Sequence, residues 1–176
     1  MPSVIDKSFR RITGLPCWGV RWDPQTNLSM SFGRPHLEIR EPRPTSAVSA
    51  KVRRLFSHRL VVVRGRWWLW IGCAYWTLSL PGALPVTGSG SRRAIDRALR
   101  CLDGQCLRGV SVDPRHGKTE LCFDLGAVRR VRRWKPPEDG DLWTLYEPDG
   151  RALAVRGDGQ YTHENASAPS RYRPLP

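Results

Sequence analysis

Apolar positions near the start of the chain recur with helical spacing. Ile5, Phe9 and Ile12 stand at i, i+4 and i+7, which places them on one face of a helix over residues 4–12. Ser3 precedes that run as an N-cap and Gly14 follows it as a stop. The same arrangement returns over residues 92–102, where Ser91 is the cap, Ile95, Leu99 and Leu102 form the face, and Gly104 is the stop. After each helix the apolar period shortens to two, predicting strands at Cys17–Trp22 and Cys106–Val112. Each strand closes on an Asp-Pro corner, because proline presets the turn torsion and aspartate can accept a bond from the backbone beyond it. Return strands follow at Leu28–Phe32 and Leu121–Leu125, and further strands at His36–Arg40, Arg59–Arg64, Trp67–Ile71 and Tyr75–Leu80. The pattern then predicts a meander of Leu142–Tyr146, Arg151–Arg156 and Gln160–His163, with the first turn made by Pro148-Asp149-Gly150. Residues 41–50 read as a connector and 165–176 as a disordered tail.

These elements repeat. At an offset of 90, Ile5, Asp6, Arg10, Gly14, Gly19, Val20, Asp23 and Pro24 meet Ile95, Asp96, Arg100, Gly104, Gly109, Val110, Asp113 and Pro114. The matches concentrate on residues that fix backbone shape, as a duplication requires. Three inserted residues then align Leu28–Gly33 with Leu121–Gly126, after which the copies diverge. The expected fold class is α+β, mainly β, as two duplicated helix-plus-antiparallel-β-meander units packed together. Residues 1–90 form the first unit with its Trp-rich strands, 91–164 the second, and 165–176 the tail.

One stretch tests the assumption of a water-soluble chain. No charged residue occurs from Trp67 to Ser91, a length that qualifies as a membrane span. Pro81, Pro85, Gly82, Gly88 and Gly90 interrupt it, and its tryptophans are spread through the run where an interfacial belt would place them at the ends. Two buried strands meeting near Gly72 fit better, so membrane association is not expected. The odd set of Cys17, Cys73, Cys101, Cys106 and Cys122, with no secretory signal pattern ahead of it, points to a cytoplasmic location with reduced thiols.

Charge changes the picture more than length does. The 176 residues carry a net +13, nearly all of the positive charge being arginine, and this suits an acidic protein, nucleic acid or an anionic surface. Codon bias in a GC-rich genome produces the same excess. The basic stretch Val128–Lys135 alternates so that Arg130, Arg132 and Trp134 share one strand face, with Arg129, Val131 and Arg133 on the other. An arginine groove with a tryptophan platform is what single-stranded nucleic acid requires, and a charged edge strand explains the run equally well.

Catalytic patterns are lacking. Thr87-Gly-Ser-Gly-Ser91 lacks the lysine of a phosphate loop and serves as a helix cap. His36, His58, His116 and His163 fall in four different predicted elements. Asp23 and Asp113 are explained by their turns. Cys101, Cys106, His116 and Cys122 lack zinc spacing. No enzymatic activity, cofactor or metal is therefore expected.

The order of helix, Gly-x(4)-Gly-Val-x-x-Asp-Pro and Leu-x(4)-Gly, repeated and closed by Leu142-Trp-x-Leu-x-x-Pro-Asp-Gly-x-x-Leu-x-Val155, resembles an uncharacterised family of small bacterial tandem β-meander proteins. That family is similar to the immunity proteins found beside polymorphic toxins. The resemblance covers most of residues 3–163 and implies a non-enzymatic partner that binds and neutralises a cognate toxin or other acidic protein. Arg64, Arg66, Trp68, Arg129, Arg130, Arg132, Arg133 and Trp134 are the candidate anchors, since arginine and tryptophan dominate interface energetics. The alternative is a nucleic-acid-binding protein using residues 128–135.

Overall fold

A computed structural model of the chain describes residues 2–23, 27–46, 49–72, 74–134 and 140–176. The protein is mainly β, with α1 (Val4–Arg10), β1 (Cys17–Trp22), β2 (Leu28–Arg40), α2 (Ala50–Phe56), β3 (Leu60–Ile71), β4 (Ala74–Ser79), β5 (Val86–Thr87) and α3 (Arg92–Leu102) in its first part. Then follow β6 (Leu107–Val112), β7 (Thr119–Phe123), β8 (Val128–Arg133), β9 (Asp141–Tyr146), β10 (Arg151–Arg156), β11 (Gln160–Asn165) and β12 (Arg173–Pro174). Among the described residues no helix is long and apolar enough to cross a membrane, and the described part of the uncharged run from Trp67 to Leu80 lies mostly in β3 and β4.

Both long-predicted helices form for the expected reasons. Ser3 and Asp6 make a reciprocal capping box, Ser3 Oγ accepting from the Asp6 N–H and Asp6 Oδ2 accepting from the Ser3 N–H. Ser91 Oγ accepts from the Ala94 N–H, and Ile95, Ala98, Leu99 and Leu102 form the buried face of α3. Gly14 and Gly104 follow the two helices with positive φ of 84° and 95°, a conformation that a side chain disfavours. Removing the first cap in Ser3→Ala is expected to lower stability by about 1 kcal/mol, read as a shift in the urea midpoint at constant slope.

The two segments after these glycines bind each other. The Gly14 N–H donates to the Leu107 carbonyl and the Gly104 N–H to the Cys17 carbonyl, while Cys17 donates to Gln105 and Leu107 to Leu15. Each of these bonds has a counterpart displaced by 90 residues. Beyond them, β1, β2 and β3 form a meander, as do β6, β7 and β8. The strand leaving each meander then crosses to the other sheet. One sheet runs β1-β2-β3-β9-β10-β11-β12, the other β5-β4-β8-β7-β6, and every described pairing is antiparallel. β9 therefore completes the sheet begun by β1–β3, and β4 the sheet begun by β6–β8. Residues from both sheets, α1 and α3 share one core.

The crossing strands carry a likeness that the divergence expected beyond Gly33 and Gly126 overlooks. Trp76-Thr77-Leu78 in β4 and Trp143-Thr144-Leu145 in β9 are identical, and each is followed by Pro, Gly and Ala-Leu-x-Val. Both tryptophans are fully buried, Trp76 opposite Val131 and Trp143 opposite Ile71. The return strands also correspond differently from the sequence alignment. Phe32 stands opposite Cys17 and Phe123 opposite Leu107, an offset of 91 in place of 93, because Gly33 lies in a bulge and Gly126 in a hairpin turn.

Other expectations need correction. His36–Arg40 continues β2, and Arg59–Arg64 joins Trp67–Ile71 in one strand, so two long strands replace four short ones. The expected connector 41–50 is free of regular structure over 41–46, but a helix not expected from the sequence, α2, begins at Ala50; residues 47–48 lie outside the described residues, as do Pro24 of the first Asp-Pro corner, Cys73 and Lys135. The tail expected to be disordered returns to the sheet, where Tyr161 pairs with Arg173 and Gln160 with Pro174. Leu175 is buried and the Tyr172 hydroxyl donates to Asp141 at 2.8 Å. Burial raises the Asp141 carboxyl above its ordinary value against the opposing influence of Tyr172 and Arg156.

Candidate functional site

The two meanders differ most in one hairpin. β7 turns into β8 through Asp124–Ala127, with the Phe123 N–H donating to the Ala127 carbonyl. β2 and β3 instead run on past Phe32 and Trp67 as a two-stranded arm that ends in the 41–59 segment containing α2. A bulge marks the root of the arm. Phe32 pairs with Trp67 and Pro35 with Gly65, so Gly33 and Arg34 together stand opposite Arg66. Gly33 takes φ 75°, and a Cβ there would approach the Trp67 ring at 3.1 Å, which is why glycine occupies the bulge. Gly65 is tighter still, since its Cβ would meet the Phe32 carbonyl at 2.6 Å.

One face of the arm continues the core-facing side of the sheet. Gly65, Leu69 and Ile71 are buried at its root, but past the bulge Leu37 opposes Val63 and Ile39 opposes Val61, and nothing covers them. These four are 50–62% exposed, which makes a directly paired aliphatic strip on solvent. Alternation that would bury a strand face runs out past the edge of the core.

The other face bounds a cleft of about 630 Å³ between the arm and the β9–β10 turn. Arg34, His36, Glu38, Arg40, Arg64 and Arg66 come from the arm, Trp68 and Tyr146 from adjacent strands, and Glu147, Pro148 and Gly150 from the turn. Trp68 stacks on Tyr146 with centroids 5.0 Å apart, and the Arg64 guanidinium lies 3.5 Å from the Trp68 ring centroid. Arg64 also pairs with Glu38, which accepts from Arg40 Nε at 2.8 Å. Burial pulls the Glu38 carboxyl upward, but the hydrogen bonds and charges of Arg40 and Arg64 outweigh it and hold it below the usual range. Glu147 is almost wholly buried, with Oε2 3.3 Å from His163 Nε2 and 3.7 Å from Arg11 Nη1. Its Oε1 has no hydrogen-bond partner among the described residues.

A second basic surface lies on the other sheet. β8 alternates as expected, with Arg130 and Arg132 outward and Arg129 and Val131 inward. Arg132 lies 4.1 Å from the Tyr75 ring centroid, and Trp134, 41% exposed, sits with its ring 5.8 Å from that of Tyr75. Arg130 is paired with Glu120 at 2.7 Å. These residues, apart from Trp134, border a second cleft of about 730 Å³ together with Lys118 and Asp113.

The eight expected anchors thus divide. Arg64, Arg66 and Trp68 come together in the arm cleft, and Arg130, Arg132 and Trp134 gather on the second sheet. Arg133 is half-buried with its stem over Gly157. Arg129 is fully buried, so it is not on a surface that meets a partner. It lies between Leu78 and Leu121, its guanidinium 3.8 Å from the Trp76 centroid, and none of its three nitrogens has a hydrogen-bond partner among the described residues. Arg34, His36 and Arg40 were missed, although the period-two spacing of 34, 36, 38 and 40 would have put them on one strand face.

Among the described residues no three His, Cys, Asp or Glu side chains gather as a metal site. No family model, no curated protein and no solved structure matches this chain.

Proposed function

We propose that the chain is a non-enzymatic binding protein of immunity type, which captures an acidic partner, a cognate toxin, on the arm formed by β2 and β3. The exposed strip of Leu37, Ile39, Val61 and Val63 carries this reading. An uncovered apolar patch on a polar rim is what an interface core requires. Arginines at the arm root with no ion pair among the described residues, and the net charge of +13, favour an acidic partner over a second copy of the same basic chain. The unbridged Cys17, Cys101, Cys106 and Cys122 agree with a reducing, cytoplasmic setting.

We also infer that the two halves derive from one duplicated unit. The hydrogen bonds repeated at an offset of 90, the equivalent crossing strands and their shared Trp-Thr-Leu support this. Residues common to the halves then account for the fold, and the arm, which one half alone has, is where a particular function belongs.

The test begins with the genes on either side and takes a toxin-domain reading frame found there; the lack of one counts against the proposal. A host expressing that toxin is expected to survive with the wild-type chain and to die with the Leu37→Asp, Val63→Lys double variant, whose opposed charges are cross-strand partners and whose Tm stays within about 2 °C because exposed substitutions change stability little. Equal protection by both chains defeats the proposal. So does a wild-type dimer in light scattering that the double variant converts to monomer, since a second copy would then be what covers the strip.

A second reading, single-stranded nucleic-acid binding, is favoured by the Arg132, Tyr75 and Trp134 cluster on the smaller sheet. It predicts binding to random DNA or RNA that weakens steeply with salt and is reduced by Trp134→Ala. Lack of binding at low salt removes it.

A further inference from the structure

We propose that the cleft on the outer face of the arm is a binding site for a phosphate ester of nucleotide size, held by Arg34 and Arg66. The site is independent of the aliphatic strip on the opposite face. The argument begins with the bulge. Gly33 and Arg34 together stand opposite Arg66, and both arginines line the cleft, so two like charges are cross-strand neighbours on one surface. Like charges in that relation destabilise a sheet. The acid closest to hand does not relieve them, because Glu38 is already occupied by Arg40 and Arg64. Neither Arg34 nor Arg66 is ion-paired among the described residues. A bulge re-aims side chains, and here it brings two arginines to one cleft, the Arg66 guanidinium 5.6 Å from the Trp67 ring centroid, so that one phosphate is within the reach of both flexible side chains.

Size and lining decide what carries that phosphate. Inorganic phosphate would fill a small part of 630 Å³, a volume within the range of small-ligand pockets. The stacked ladder of Arg64, Trp68 and Tyr146 forms a flat, preorganised wall, suited to a planar ring. Glu147 lines the cleft too, but its carboxylate is 1% exposed and Oε1 is not open to a ligand, so it shapes the site without binding in it. An anion beside a flat ring describes a nucleotide.

Isothermal titration at low ionic strength with AMP, GMP, adenosine and inorganic phosphate tests the proposal. AMP or GMP is expected to bind at least tenfold more tightly than phosphate or adenosine. The Arg34→Ser, Arg66→Ser pair is expected to weaken it at least tenfold. As both side chains are exposed, that variant should retain its fold, confirmed by an unchanged circular dichroism melt. Arg92→Ser, Arg93→Ser removes the same charge from the exposed start of α3 and is expected to change affinity less than threefold. Equal weakening by the two pairs would reduce the effect to net charge and overturn the site. Nucleotide binding no tighter than phosphate, or absent at 1 mM, does the same.

Discussion

Arg129→Met is expected to raise the stability of this protein by about 1–4 kcal/mol, the range found when buried ionic groups give way to apolar side chains of similar size. At roughly 3 °C per kcal/mol for a chain of this length, the melting temperature should rise by about 3–12 °C. The side chain is wholly enclosed, lies between Leu78 and Leu121, and has the Trp76 ring for company but no acceptor among the described residues. A cation over an aromatic face recovers a small part of the cost of taking a guanidinium out of water. The corresponding position of the other sheet shows what the site accepts. Leu69 stands opposite Leu145 there as Arg129 stands opposite Leu78.

The gain should also depend on pH in a defined direction. Burial pushes Arg129 down from the ordinary arginine value to about 9. Above that the unfolded chain holds the proton more firmly than the folded one, so the penalty is full below about pH 9 and is relieved as pH rises beyond it. Cys17 acts oppositely in nearly the same window. Burial, aided by the Asp103 charge, raises its thiol from 9.0 to about 12, so the unfolded chain loses that proton first and stability falls as pH rises from 9 to 12. The difference between Arg129→Met and wild type cancels the Cys17 contribution. Urea melts at pH 8 and pH 10.5 should show the advantage of the variant shrinking, and an advantage that grows with pH would contradict the account.

Trp143→Ala should have the largest effect of the opposite sign, a loss of about 3–5 kcal/mol. Trp143 is fully buried in β9, meets Phe9 of α1 edge-on at 5.4 Å between centroids, and donates from Nε1 to Thr119 Oγ1 of β7 at 2.8 Å. It therefore ties the crossing strand to both the first helix and the second meander. Trp143→Phe keeps most of the ring and is expected to cost less, its remaining deficit being the Thr119 hydroxyl left without its donor. Circular dichroism melts of the two variants give the order. Equal losses would show that the ring retained in Trp143→Phe contributes nothing.

Local signals accounted well for what local physics determines. The caps at Ser3 and Ser91, the glycine stops, the alternation in β1 and β8 and the Pro-Asp-Gly turn each place a backbone by the chemistry of a few neighbouring residues. The arm was harder to read, because its bulge glycine resembles a turn and Gly65-Arg66 resembles a break, so two long strands were divided into four. Its exposed strip was invisible for a related reason. Leu37, Ile39, Val61 and Val63 alternate as buried residues do, and only the extent of the opposing sheet decides whether they are covered. The crossing of β4 and β9 depends on partners about 50 and 75 residues away, which no local pattern specifies. The Trp-Thr-Leu identity was present in the chain but lies at an offset of 67, not 90, and so fell outside the register of the first repeat. Of the arginines, Arg129 was misplaced because a run of like residues hides which members point inward.

The crossing strands have a consequence for synthesis. β3 leaves the ribosome with its neighbour β2, but the strand that satisfies its other edge is β9, about 75 residues later, which is roughly 4–15 s at ordinary elongation rates of about 5–20 residues per second. For that interval the unpaired edge of β3, with Trp68 and Trp70 along it, is open to pairing with another nascent chain. Crowded polysomes, more than heat or denaturant, should therefore be where this protein is most prone to aggregate, and slowing translation between β4 and β9 should lower its soluble yield.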